Sequence, residues 1–368
     1  MPSIFRRVLI IVSLPLVMLA TGCSLTDSLG FGGAKKPVPP PPPVGVYRSN
    51  DRGDTWTTRN ALLSASANAR PNLNSTNVQV LLADPTDPRT IYLGSQGNGL
   101  YYTYDRADSW WQSRPIPAGT INAVAVPSDA ALRCTVYIAS TIQIFKSTDC
   151  GRYWEQVYVD TRRKEQVLSL AVHLKKTQTV YAGLTTGDLI RSEDGGKRWE
   201  TVARLPGRIT RLLPHTLNHD TIYITIDKRG VWRTIDGGKT WQDMSEGLKV
   251  YKGSLDIKSI VIDPTRPETV IVATPYGLIR TIDGGTVWAP LRLITPPGKA
   301  NISSIALNPS NTAELYYTTD TTLLRSSDAG ETWETRTLPV PGTKTTLLVD
   351  PQESKVLYLG VFRAPVKQ

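Results

Sequence analysis

One eight-residue pattern, Ser/Thr-x-Asp-x-Gly/Ala-x-x-Trp, recurs seven times along the chain and constrains it more than any bulk property. The copies carry Ser49, Asp51, Gly53 and Trp56; Thr103, Asp105, Ala107 and Trp110; Ser147, Asp149, Gly151 and Trp154; and Ser192, Asp194, Gly196 and Trp199. Three more carry Thr234, Asp236, Gly238 and Trp241; Thr281, Asp283, Gly285 and Trp288; and Ser326, Asp328, Gly330 and Trp333. Successive aspartates stand 54, 44, 45, 42, 47 and 45 residues apart. A 368-residue chain would by length alone suggest two or three domains, but a period held this closely is the mark of a repeat architecture. The period also explains why the chain has nine Trp beside only four Phe: seven Trp close the boxes, Trp111 follows the second, and Trp232 leads into the fifth.

Each repeat reads as short strands separated by turn chemistry. A basic residue ends the apolar run before most boxes, as in Val46-Tyr47-Arg48, Ile144-Phe145-Lys146 and Leu278-Ile279-Arg280. Upstream lie two further runs, for example 78–83 then 90–93, 209–213 then 221–224, and 257–262 then 269–273. Turns such as Asp84-Pro85-Thr86-Asp87-Pro88 and Asp263-Pro264-Thr265-Arg266-Pro267 separate them. Four short antiparallel strands in a repeat of this length make the blade of a β-propeller. The chain opens on strands three and four of a blade (44–49 and 55–59) and closes on strands one and two (345–349 and 355–360). The expected fold is therefore all-β: seven four-stranded antiparallel blades over residues 44–368, closed by pairing the N- and C-terminal strands.

These boxes resemble the Asp-box repeats of bacterial neuraminidases, sortilin-type receptors, some glycoside hydrolases and the propeller-shaped photosystem II assembly factors. The resemblance covers all seven blades and implies a fold; one scaffold of this kind hosts many functions. Asp51, Asp105, Asp149, Asp194, Asp236, Asp283 and Asp328 are accordingly expected to be structural, bonding backbone in the turn between strands three and four.

Residues 1–22 carry Arg6 and Arg7, an apolar stretch from Val8 to Ala20, and small residues before Cys23. That is the layout of an export signal. The string Leu19-Ala20-Thr21-Gly22-Cys23 resembles a bacterial lipobox, with Ala20 where that pattern more often has Leu, and implies that Cys23 is acylated and becomes the mature N-terminus. Residues 23–43 then form a Gly- and Pro-rich tether whose polyproline run favours an extended conformation. The expected location is the outer face of a bacterial envelope membrane, periplasmic or cell-surface. Cys134 and Cys150 fall on one rim of one blade in such an oxidising compartment, so a disulfide between them is expected.

With 42 basic and 32 acidic side chains the chain carries a net +10. Every loop between blades holds at least one basic residue, and Arg162, Arg163, Lys164, Arg208 and Arg229 are the candidate partner-binding set. No aromatic-basic interleaving suited to nucleic acid occurs on those loops. Nor is there a Phe/Tyr-Arg-Ile-Pro string of sialidase type, and His215 and His219 sit in a turn where no helix would align them on a metal, so no metal or cofactor is expected. Glycoside hydrolysis needs two carboxylates about 5–10 Å apart. The candidates on that rim are Asp160, Asp188, Asp227 and Asp320. The expectation is a monomeric, lipid-anchored, non-catalytic scaffold for a protein or anionic glycan partner. Its alternative is a glycan-binding or glycoside-hydrolase-like protein.

Overall fold

The computed structural model describes residues 41–63, 71–114, 116, 119–162 and 165–364. The leader (1–22), Cys23, the tether as far as residue 40, and the loop residues Arg70, Arg163 and Lys164 lie outside the described residues.

Seven four-stranded antiparallel sheets follow one another along the chain. The first comprises Val78–Ala83, Ile91–Ser95, Leu100–Thr103 and Trp111–Gln112, and the fourth Ile209–Pro214, Ile222–Ile226, Gly230–Thr234 and Gln242–Asp243. The last joins both chain ends, in the order Thr57–Thr58, Gly45–Ser49, Leu357–Phe362, Lys344–Val349. Gly45 to Ser49 pair with Val361 to Leu357, so neither terminal strand is left as an open edge. The ring is a seven-bladed β-propeller. First strands of neighbouring blades pack around the axis, as Val167–Val172 does against Ile209–Pro214.

The core is not one mass but a set of wedges between blades. Ala123, Tyr137 and Ile144 of the second blade pack with Val167, Leu170 and Val180 of the third, and each successive pair of blades repeats the arrangement. Second strands therefore bury both faces, and Val136–Ser140, Val180–Leu184 and Ile222–Ile226 are buried at every residue. That is why they read as unbroken apolar runs with no alternation. Outermost strands face water and are short, only two residues at Thr57–Thr58 where the sequence suggests five.

The boxes form one hydrogen-bonded unit repeated seven times. The Ser or Thr hydroxyl donates to the aspartate Oδ1 at 2.6–2.9 Å and accepts the Gly or Ala N–H at 2.7–3.1 Å. Oδ1 also accepts the N–H four residues on, at 2.8–3.0 Å. These bonds hold the carboxyls below their ordinary range, Asp328 at about 2 through Thr332. The two residues after each aspartate both take positive φ, for instance 74° and 99° at Gly195 and Gly196, which is why the second is glycine in six boxes and never a large residue.

Removing a hydroxyl from this unit leaves a buried N–H without a partner. Ser192→Ala should lower the unfolding free energy by about 1–3 kcal/mol in denaturant titrations. An unchanged midpoint would show that the turn does not depend on the hydroxyl.

Candidate functional site

The boxes and the turns between first and second strands share one rim. In all seven blades the residue after the box aspartate donates its N–H to such a turn, as Gly195 does to Gln178 and Ala329 to Ala313. Two of these turns use histidine in place of aspartate. Nδ1 of His215 accepts from the N–H groups of Leu217 and Asn218, the task that Oδ1 of Asp84 performs for Thr86 and Asp87. Its Nε2–H is then left to donate to the Asp263 carbonyl at 2.9 Å. His173 is built the same way, with Nε2 toward Asp220. Among the described residues no three His, Cys, Asp or Glu side chains cluster as metal ligands. Cys134 and Cys150, on this same rim, are joined in a disulfide.

Much of the positive charge on the box rim is committed to neighbouring blades. Arg48, Lys146 and Arg280, each ending the run before a box, donate to the carbonyls of Arg106, Gly195 and Ala329 in the next box. Arg52 pairs with the nearly buried Glu314, and Arg106 with Glu353 and Asp350.

The opposite rim, built from the interblade loops and the turns between second and third strands, holds the candidate chemistry. One polar cluster on this rim joins the second and third blades. Arg162 is bidentate to Asp160, through Nε at 3.0 Å and Nη2 at 2.6 Å, and its Nη1 reaches Asp188 at 2.6 Å. Asp160 also accepts from the Tyr158 hydroxyl at 3.1 Å, and Arg204 lies 3.6 Å from Asp188. Both aspartates are almost fully buried. The Arg162 guanidinium holds the Asp160 carboxyl below the usual carboxylate range. That is the reverse of what a glycosidase acid needs, because such a group must keep its proton near neutral pH. Arg162, read from sequence as a free binding residue, is thus tied into a clamp within its own rim.

Arg208 and Arg229 remain exposed, with no ion pair among the described residues. Of the other carboxylates, Asp320 accepts from Asn301 Nδ2 at 2.8 Å and Asp227 is exposed. The loops of the fifth blade enclose a pocket of about 330 Å³ lined by Tyr276, Leu291, Leu293, Thr295, Pro296 and Pro297. The Tyr251 ring packs 5.0 Å from that of Tyr276, and the Thr295 hydroxyl has no hydrogen-bond partner. No motif announces this pocket, since its parts come from separate loops. A second feature missed from sequence is Arg211, which lines an axial cavity of about 560 Å³. One charge inside the apolar strand Ile209–Pro214 was its visible signal.

Residues 187–276 match the family model described as Sortilin-Vps10 (Sortilin, neurotensin receptor 3). A xyloglucanase of Paenibacillus sp is 28% identical over 266 residues, 66% of this chain, and the chain spans about a quarter (23%) of that relative's length. The GH74 enzyme of Niastella koreensis superposes with a TM-score of 0.63 at 17% identity, over 77% of this chain and 51% of that one. YCF48 from Cyanidioschyzon merolae superposes with a TM-score of 0.60 at 13% identity, over 77% of this chain and 95% of that one. These structural likenesses establish the propeller. The sequence match to a xyloglucanase corrects the expectation of a non-catalytic scaffold, because it points to a glycoside hydrolase.

If Arg162 is a clamp, its loss leaves the enclosed Asp160 without a counter-charge and Asp188 with only Arg204 at 3.6 Å. Arg162→Ala should cost about 1–3 kcal/mol at pH 7, less than a fully buried pair because its side chain is 48% exposed. A depressed carboxyl stabilises above its ordinary value near 4 and loses that contribution as pH falls through its depressed value. The gap between variant and parent should therefore shrink toward pH 3, and a gap independent of pH would sink the clamp.

Proposed function

We propose that this propeller is the glycan-handling module of a glycoside hydrolase, with a xyloglucan-type β-glucan as its substrate class. The observation that carries the reading is the sequence match to a xyloglucanase across two thirds of the chain. The geometry of the fifth-blade pocket supports it. Tyr276, Leu293, Pro296 and Pro297 offer an apolar wall for the C–H face of a sugar ring, while the exposed Arg292 supplies a polar contact. For the chemistry, the clamp removes Asp160 and Asp188 and leaves Asp227 and Asp320 as the candidate carboxylates on that rim.

Affinity electrophoresis through xyloglucan-containing gels, together with release of reducing ends, tests the reading. Retardation is expected, with Tyr276→Ala weakening it at least tenfold, and Asp227→Asn or Asp320→Asn abolishing release while retardation persists. A chain that neither binds nor cleaves xyloglucan overturns it.

The location is part of the same proposal. Acylation at Cys23 after removal of residues 1–22 would hold the propeller beside an envelope membrane on its proline-rich tether. The full-length protein should partition into the detergent phase of a phase-separating detergent extract, and Cys23→Ser should move it to the aqueous phase. Aqueous partition of both forms would refute the anchor.

A further inference from the structure

The axial cavity has a composition that neither the fold nor a neutral polysaccharide requires. Its wall comes from the first strands of the first, fourth, fifth, sixth and closing blades, and half of it is Val, Leu and Ile, with Ser259, Ser303, Ser304, Thr345, Thr346 and His215 also in the wall. Arg211 is the only Lys, Arg, Asp or Glu in that wall. Its guanidinium has no ion pair or hydrogen bond among the described residues, although it keeps open surface in the cavity. The side chain is exposed to the open space of the cavity, out of an otherwise apolar strand.

The position is set by a β-bulge. The pairing of Ile209 with Ile226 and of Arg211 with Thr225 skips one residue, and the same skip places Val80, Ala123 and Ser169 at the equivalent point of the three preceding blades. The other three of these four related sites carry a small or apolar side chain, so the bulge itself does not need a cation. The neighbouring hydroxyls add donors. Ser259 Oγ and Ser304 Oγ each accept one backbone N–H, from Ile305 and Leu347, which leaves their own protons free. A wall holding one planar guanidinium, several hydroxyls and no carboxylate matches a small oxygen-rich anion.

We propose that the axial cavity binds a small hydroxylated carboxylate, of the uronic-acid kind, through a bidentate contact to Arg211. The proposal does not rest on the polysaccharide reading, which concerns the rim.

Isothermal titration with glucuronate, and with glucose as its neutral counterpart, tests it on the full chain. Glucuronate should bind and glucose should not; Arg211→Gln should lose binding at least tenfold, and Arg211→Lys should fall between. In ligand-free buffer Arg211→Gln should melt at the parent temperature, since the side chain is exposed and makes no ion pair or hydrogen bond among the described residues, and xyloglucan retardation should be unchanged. Inorganic phosphate competing with glucuronate in the parent but not in Arg211→Gln would support the same guanidinium. Equal binding of glucose, glucuronate binding retained in Arg211→Gln, or a variant that melts lower and shows Arg211 to be structural would overturn the proposal.

Discussion

Each box turns the chain through two consecutive left-handed residues, and a buried Ser or Thr hydroxyl holds that turn by donating to the aspartate and accepting from the following Gly or Ala. The aspartate, fixed in one ionised orientation, then bonds the N–H that leads into the outer strand. Because the next residue also donates to the turn between the first two strands, the hydroxyl sets how the second, third and fourth strands of a blade meet. Seven identical solutions give seven nearly identical blades, and ring closure demands that uniformity.

Uniform blades still need cement. In five of the seven boxes the Trp supplies it by reaching the outer strand region of the preceding blade: Nε1 donates from Trp110 to the Arg59 carbonyl, from Trp199 to Val157, from Trp288 to Met244 and from Trp333 to Arg292. Trp154 does the same to the Ser113 hydroxyl. Since the apolar core lies between blades, no blade buries its own faces, and the closing sheet matters as much as any box. Asn77 seals that closure, giving Nδ2–H to the Arg363 carbonyl and accepting the Arg363 N–H.

The fold was legible because its determinants are local. Ser192, Asp194 and Gly196 lie within five residues, and the period repeats them until chance is excluded. The site was less legible because its determinants are relations between blades. Arg162 and Asp160 are two residues apart and their pairing was readable, but Asp188 comes from the next blade, so the arginine counted as free charge until the ring brought the two together. Arg48, Lys146 and Arg280 escaped in the same way, their acceptors being carbonyls some fifty residues on. Part of the surplus of +10 therefore serves the joints between blades.

Once the joints have taken their share, two places with opposite chemistry remain. The fifth-blade pocket has aromatic and proline walls and opens on the rim, where a polymer can lie across it. The axial cavity is ringed by blades and holds one cation among apolar side chains and hydroxyls. A neutral glucan chain has no charge to pair with a lone guanidinium, whereas a small anion gains a charge-assisted hydrogen bond from it. An anion gains little at the rim pocket, where its charge would stay in water and be screened. The same ring can therefore serve a polysaccharide and a small acid without the two competing for one surface.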